Sequence, residues 1–251
     1  MRSESMAWLF EKADLRCRVL IGGYKSYRRY IRENIFQGKE MLVVGGLTGS
    51  GKTLMLREMQ QKGEPVIDLE KLASHRGSAF GGIGLEEQPN TEQFENNLYR
   101  DVSNISQSYF WVEDESLQIG KIFIPEPFFN QMRQSKVLFV DVPENHRIDI
   151  LVSEYAGQDR KLLEKAILKL EPRLGHLAAR KAIEALNSGI YSDTAQILLN
   201  YYDKTYLYGL NKKKENLVQH LDLSGTAKEC YADAIIAQKD NLLIKNPQAK
   251  Q

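Results

Sequence analysis

The residues best suited to chemistry lie between Gly46 and Thr53. Gly46-Leu47-Thr48-Gly49-Ser50-Gly51-Lys52-Thr53 follows the pattern of a phosphate-binding P-loop, G-x-x-x-x-G-K-[ST]. Gly46, Gly49 and Gly51 permit a tight loop in which backbone N–H groups turn inward, and Thr48 and Ser50 complete its span. The amides from Gly49 to Thr53 would ring the phosphates and Lys52 would face the terminal one. The Thr53 hydroxyl would ligate Mg²⁺ where a metal accompanies the ligand. Such a loop needs a strand to deliver it and a helix that starts at the lysine. Met41-Leu42-Val43-Val44 reads as that strand, and Leu54 to Gln61, rich in Leu, Met, Arg, Glu and Gln, reads as the helix.

A metal at this loop asks for an acid at the end of a neighbouring strand. Three candidate strands end that way: Val66-Ile67 at Asp68, Tyr109-Phe110-Trp111-Val112 at Glu113-Asp114-Glu115, and Val137-Leu138-Phe139-Val140 at Asp141. The triple cluster follows the most aromatic strand, and Asp114 is the preferred partner of Thr53 at the metal. Beyond Asp141, Val142-Pro143-Glu144-Asn145-His146-Arg147 resembles the strand-to-helix passage of small-molecule kinases, which makes Arg147 a candidate phosphate clamp. The segment from Asp68 to Gly82 gathers His75, Arg76 and Ser78 among small residues. It follows the second strand, where α/β folds place ligand contacts. His75, Arg76 and Asp114 are therefore the candidates to act on the reacting groups, with His75 as acid, base or hydrogen-bond donor.

The elements that must position these groups alternate. Strand candidates at 41–44, 66–67, 109–112 and 137–140 are separated by helical stretches near Thr91–Val102 and Pro127–Arg133, which predicts a parallel sheet with helices on both faces. From about Glu144 onward the pattern is mainly helical. Ile148, Leu151, Val152 and Tyr155 share one helix face, as do Leu163, Ala166, Ile167 and Leu170, and Tyr191, Ala195, Leu198 and Tyr202. Gly157, Gly175 and Gly189 fall between these stretches, where helix ends favour glycine. Cys230 shares a stripe with Ala227, Tyr231 and Ala234 and reads as core, while Asn246 to Gln251 reads as frayed. Near the N-terminus, Met6-Ala7-Trp8-Leu9-Phe10 reads as helix and Val19-Leu20-Ile21 as a strand ended by Gly22-Gly23. The expected organisation is an N-terminal segment 1–37, a P-loop α/β domain 38–156 and a helical region 157–251.

Composition narrows the class. With 251 residues, 42% hydrophobic and 27% charged, the chain is an ordinary globular one. No apolar run is long enough for a membrane span, and the first residues do not read as a secretory signal, so the cytoplasm is the expected compartment. Two cysteines, Cys17 and Cys230, make neither a disulfide scaffold nor a zinc site. Net charge is +1, but Leu15 to Arg32 holds six basic residues and no acid, while Glu64 to Glu115 holds eleven acids against three basic residues. The basic stretch, interleaved with Tyr24, Tyr27 and Tyr30, suits a nucleic-acid backbone as well as it suits a solvated face.

Taken in order, these residues resemble the tRNA 2-selenouridine synthases, also described as tRNA 2-thiouridine geranyltransferases. The likeness rests on the P-loop, on Asp68-Leu69-Glu70 and on His75-Arg76-Gly77-Ser78-Ala79-Phe80-Gly81. It continues through Gln88-Pro89, Phe94-Glu95, Glu113-Asp114-Glu115-Ser116, Ile119-Gly120 and Arg147. Gly22-Gly23-Tyr24-Lys25-Ser26-Tyr27-Arg28-Arg29 is similar to the end of that family's rhodanese domain. The resemblance implies a transferase acting on the wobble 2-thiouridine of tRNA. Geranyl diphosphate would first alkylate the sulfur, and selenophosphate would then supply the selenium that displaces the S-geranyl group. It assigns the diphosphate to Lys52, Thr53 and Arg147, and the thiouridine or selenophosphate to the surroundings of His75 and Arg76.

One departure stands out. In that family the rhodanese cysteine lies just upstream of a Met-Arg-Ser-x-Ser stretch, which here is Met1-Arg2-Ser3-Glu4-Ser5. The expectation is a chain without that cysteine, with the selenium step impaired and geranylation retained. Trp8 and Leu9 would then be exposed unless a separate polypeptide completes the rhodanese domain. Two other readings stand beside this one. One is a small-molecule kinase using ATP and Mg²⁺, and the other is a remnant that only binds tRNA or a nucleotide such as ATP or GTP. The Asn-Lys-x-Asp motif that specifies guanine is absent.

Overall fold

The computed structural model describes residues 2–36, 38–210 and 217–243. Its centre is a five-stranded sheet in the order β2-β3-β1-β6-β7, built from Glu40–Gly46 (β1), Val66–Ile67 (β2), Tyr109–Glu113 (β3), Val137–Asp141 (β6) and Val218–Asp222 (β7). Every pairing in this sheet is parallel. A separate antiparallel pair joins Gln118–Ile119 (β4) to Ile122–Phe123 (β5).

Four strands, β1, β2, β3 and β6, are largely apolar because both of their faces are covered, whereas β7 at one edge is mixed. Side chains alternate, so each strand feeds two layers. Leu42, Val44, Trp111, Leu138 and Val140 pack on the side of the helix Lys52–Gln61 (α3) and of Tyr231–Ile236 (α11), with Met55, Leu56, Met59, Tyr231 and Ile235. Met41, Val43, Phe110, Val112 and Val137 pack on the opposite side. There they meet Phe94 and Leu98 of Thr91–Ser103 (α5), and Phe128 and Met132 of Glu126–Gln134 (α6). The short helix Leu69–Ala73 (α4) follows β2 and is capped by Asp68, which accepts from the Lys71 amide at 2.8 Å.

After β6 come Glu144–Tyr155 (α7), Arg160–Leu174 (α8), His176–Asn187 (α9) and Tyr191–Leu210 (α10). The first turn of α8 is capped by Asp159, and Gly175, at φ 92°, turns the chain between α8 and α9. Leu163, Ile167, Leu170, Ala182, Leu186 and Leu198 form a core of their own, joined by Phe80 from the segment that follows α4.

The region after residue 157 is mainly helical, as expected, and adds one strand, while two other expectations, on Val19-Leu20-Ile21 and on Cys230, need correction. β7 pairs with β6 from Val137↔Val218 to Asp141↔Asp222, and α11 packs against α3, so the chain returns to the P-loop sheet. Lys239–Leu243 (α12) ends the described part, and the expected fraying of Asn246–Gln251 lies outside it. Val19-Leu20-Ile21 forms no strand. It runs between the helices Arg2–Lys12 (α1) and Gly23–Glu33 (α2), with Ile21 97% exposed and no neighbouring strand among the described residues. Cys230 is exposed, because its segment is a single 3₁₀ turn and the buried stripe begins one residue later at Tyr231.

α2 is anchored by the buried Ile31. Its Arg28 pairs with the buried Glu95 of α5 and donates to the Glu92 carbonyl at 3.0 Å, and Arg32 lies 3.4 Å from Glu95. Arg16, Arg18, Lys25 and Arg29 are exposed. Trp8 and Leu9, 60% and 53% exposed, stand out on α1. No described helix is long and apolar enough to cross a membrane.

Candidate functional site

The P-loop leaves β1 and enters α3 through Gly51, which sits at φ 77° as the helix cap. Gly49, at φ 76°, has no room for a side chain. A Cβ there would lie 2.9 Å from Leu151 and 3.0 Å from the Arg147 carbonyl. A Cβ on Gly46 would lie 2.8 Å from both Ser50 and Val140. The loop's shape thus follows from glycine at these positions. Lys52 Nζ donates to the Gly46 carbonyl at 3.0 Å and approaches that of Leu47 at 3.5 Å. Ser50 is buried, and its hydroxyl has no protein partner.

Beside the loop stands a set of carboxylates. Thr53 Oγ1 lies 2.8 Å from Glu70 Oε2 and 3.2 Å from Glu113 Oε2. Glu115 completes a group with Glu70 and Glu113 whose nearest oxygens all lie within 4.8 Å of one another. Burial, and then the Glu70 charge, push Glu113 well above the usual carboxylate range. The same two causes push Glu115 up to about 8, and burial raises Glu70. This set fits a divalent cation: the donors are hard oxygens, and Oε1 of the buried Glu113 has no hydrogen-bond partner.

Asp114, the expected partner of Thr53, is turned elsewhere. It accepts from Tyr206 at 3.0 Å and from Arg133 at 3.3 Å. The cause is strand geometry. Trp111 packs on the α3 side of the sheet and Val112 on the other, so the odd-numbered Glu113 continues toward the start of α3 and Asp114 does not. That alternation was the signal available in the sequence. Glu70 reaches the loop because α4 starts directly after β2, and nothing in its spacing marks it apart from its neighbours.

Arg147, expected to clamp phosphates, is 3% exposed and engaged with protein. It binds Asp203 of α10 through two hydrogen bonds, of 2.8 and 2.7 Å, and donates to the Thr48 carbonyl at 3.1 Å. Tyr206 is a second tie from α10 to the loop, accepting from the Gly46 amide at 3.2 Å while it donates to Asp114. Burial, and then the Asp114 charge, push its phenol upward. Asp203 and Tyr206 lie about 150 residues beyond the loop in an ordinary amphipathic helix, and sequence spacing gives no sign of them.

His75 and Arg76 lie close to the carboxylates. His75 Nδ1 accepts from the Gly77 amide at 3.1 Å, which fixes the neutral tautomer, and its ring fills the space over Gly81 and Gly120. Burial, and then the neighbouring Arg76 charge, hold it below its ordinary value. Arg76 donates to the Ile83 carbonyl at 3.1 Å and lies over the Tyr155 ring at 5.6 Å.

These groups share one cavity of about 910 Å³. At one end its wall includes Thr48, Gly49, Lys52, Thr53, Glu70, Glu113, Glu115, His75 and Arg76. At the other it runs between α8, α9 and α10 along Leu163, Ile167, Leu170, Leu186, Leu198 and Tyr202. Arg147 is not part of that wall. The site can therefore cradle phosphates and a cation beside an apolar chamber.

Comparison with known proteins points the same way. Residues 39–176 match the tRNA 2-selenouridine synthase AAA domain. The protein named tRNA 2-selenouridine synthase in Nitrosomonas eutropha is 42% identical over 144 residues, which cover 55% of this chain and 37% of the relative. Those of the same name in Bdellovibrio bacteriovorus and Aeromonas salmonicida are 32% and 33% identical, covering 83% and 87% of this chain and 66% and 67% of the relatives. The chain spans between about a third and two thirds of the length of the curated relatives it matches. With the domain match covering more than half of the sequence, and with the P-loop and its acidic strand end inside it, the chain belongs to the tRNA 2-selenouridine synthase family.

Proposed function

We propose that this chain is a tRNA-modifying transferase that works through an S-geranyl intermediate. Geranyl diphosphate binds with its phosphates in the P-loop and its chain between α8 and α10. The thiocarbonyl sulfur of a wobble 2-thiouridine attacks C1 of the geranyl group. The C1–O bond breaks, diphosphate leaves with the electron pair, and the base loses its N3 proton. The selenium of selenophosphate then attacks C2 of the base, the C2–S bond breaks as geranylthiolate leaves with the electron pair, and water cleaves the P–Se bond to release phosphate.

The observation that carries this reading is the cavity itself, which joins a phosphate-binding loop to a chamber lined by Leu163, Ile167, Leu170 and Leu198. A prenyl chain matches the leucine and isoleucine side of that chamber, where Thr194 and Tyr202 are the polar groups close by. Lys52 and the loop amides would neutralise the departing diphosphate. The apolar wall would keep water from the allylic carbon while charge develops there. A divalent cation, held by Thr53 and the carboxylates, would supply further charge neutralisation. Arg147 braces the Thr48 carbonyl in this reading and does not touch phosphate. Exposed Arg16, Arg18, Lys25 and Arg29 are the residues proposed to meet the tRNA backbone.

Nucleoside mass spectrometry tests the reaction. With 2-thiouridine tRNA and geranyl diphosphate, the chain should yield geranylated thiouridine and the Lys52→Ala variant should yield none. Equal product from that variant would remove the P-loop from the chemistry. ATP turnover on a small acceptor would favour a kinase.

A further inference from the structure

We propose that Glu70, Glu113, Glu115 and the Thr53 hydroxyl form a divalent-cation site that fills before any phosphate reaches the P-loop. In an ordinary P-loop site the hydroxyl and one acid, often through water, hold the ion together with phosphate oxygens, so the ion arrives with its nucleotide. Here two carboxylates reach the hydroxyl and a third stands beside them, from three places in the chain. Glu70 comes from α4, Glu113 ends β3, and Glu115 comes from the loop beyond it.

The geometry is unfinished without an ion. Thr53 has one proton to give and two carboxylate oxygens within reach, at 2.8 and 3.2 Å, so at most one of them is satisfied. Oε1 of Glu113, a residue only 1% exposed, has no hydrogen-bond partner among the described residues. A buried acceptor left in that state costs stability, and three carboxylates side by side repel. The nearest ammonium, Lys52, is directed to the Gly46 and Leu47 carbonyls. Oxygens on opposite sides of a Mg²⁺, Mn²⁺ or Ca²⁺ ion stand about 4–5 Å apart. Carboxylate oxygens that all lie within 4.8 Å of one another therefore already suit one ion.

The site also reaches the segment that carries His75. A Cβ on Gly77 would lie 2.9 Å from a Glu115 oxygen, so the backbone beside His75 rests against a ligand. Filling the site would fix that segment before substrate enters.

The inference rests on the P-loop reading of the site and not on the identity of the phosphate donor. The test is Mn²⁺ binding to the whole chain without phosphate, followed by the loss of the free-ion paramagnetic signal. One Mn²⁺ per chain should bind, and Mg²⁺ should displace it. Glu113→Gln and Glu70→Gln should each weaken binding at least about tenfold, and Glu184→Gln, on exposed α9, should leave it unchanged. Mn²⁺ should raise the thermal midpoint of the wild type and leave that of Glu113→Gln in place. Because these changes relieve repulsion, both variants should match or exceed the wild-type midpoint in cation-free buffer. If either fails to fold, Glu115→Gln takes its place. Mn²⁺ that binds only after inorganic pyrophosphate is added would overturn the proposal, as would equal binding by Glu113→Gln. Mn²⁺ binding without alkyl transfer would leave this site standing and remove the transferase reading instead.

Discussion

Around the P-loop the cavity wall is made of backbone amides, Lys52 and three carboxylates, whereas from α8 to α10 it is made mainly of leucine, isoleucine and tyrosine side chains, with Thr194 and Thr205 among them. The first end is assembled where the central strand β1 ends, and there a short motif fixes backbone direction. The second is assembled by three helices, each contributing an apolar stripe. Charged groups converge at one end for a charged ligand part, and the other end offers mainly aliphatic and tyrosine side chains. A ligand that uses both ends must be amphiphilic. The two ends are not independent, because α10 grips the loop through Asp203–Arg147 and Tyr206–Gly46.

Substitutions can separate the two ends. Lys52→Ala should have the largest effect, lowering geranyl transfer at least about hundredfold, since it removes the principal charge facing the leaving group. Asp203→Asn tests the tie between the ends. It leaves buried Arg147 without a charge partner and should cost about 2–3 kcal/mol in denaturant unfolding, less than the 3–5 of a fully buried pair because Asp203 keeps some exposure. Leu198→Trp narrows only the apolar end, and it should raise KM for geranyl diphosphate about tenfold while inhibition by inorganic pyrophosphate stays near wild type. An equal loss of pyrophosphate affinity would mean that the ends are one site.

The smallest effect is expected at His75. Its folded pKa is held below the ordinary 6.5 by burial and by Arg76. As pH falls, the unfolded chain takes up the proton first. Stability that is present above about pH 6.5 is therefore lost as pH drops through the lower, folded value. Unfolding midpoints measured between neutral and mildly acidic pH should fall less steeply for His75→Gln than for the wild type.

The polar end was the more legible of the two in sequence. Glycine spacing and Lys52-Thr53 locate the loop without any tertiary knowledge, because the backbone itself makes the site. Four of the five strands, β1, β2, β3 and β6, were readable as apolar runs between helices. β7 was not, since Val218-Gln219-His220-Leu221-Asp222 is polar enough to suit an edge and has few features of a buried strand. Asp114 and Glu113 are neighbours in sequence and lie on opposite sides of the strand. Following the alternation outward from Trp111 would have chosen between them. Asp203 and Tyr206 were out of reach of local reading, because their role depends on how α10 docks beside the P-loop.

The most direct measurement is calorimetric binding of geranyl diphosphate, inorganic pyrophosphate and ATP to the whole chain with Mg²⁺ present. An apolar chain of ten carbons entering the helical chamber should make geranyl diphosphate at least about hundredfold tighter than pyrophosphate. It should also bind more tightly than ATP, and Leu198→Trp should erase most of that advantage. ATP binding more tightly than geranyl diphosphate, with no sensitivity to Leu198→Trp, would contradict the two-ended cavity and return the loop to nucleotide chemistry.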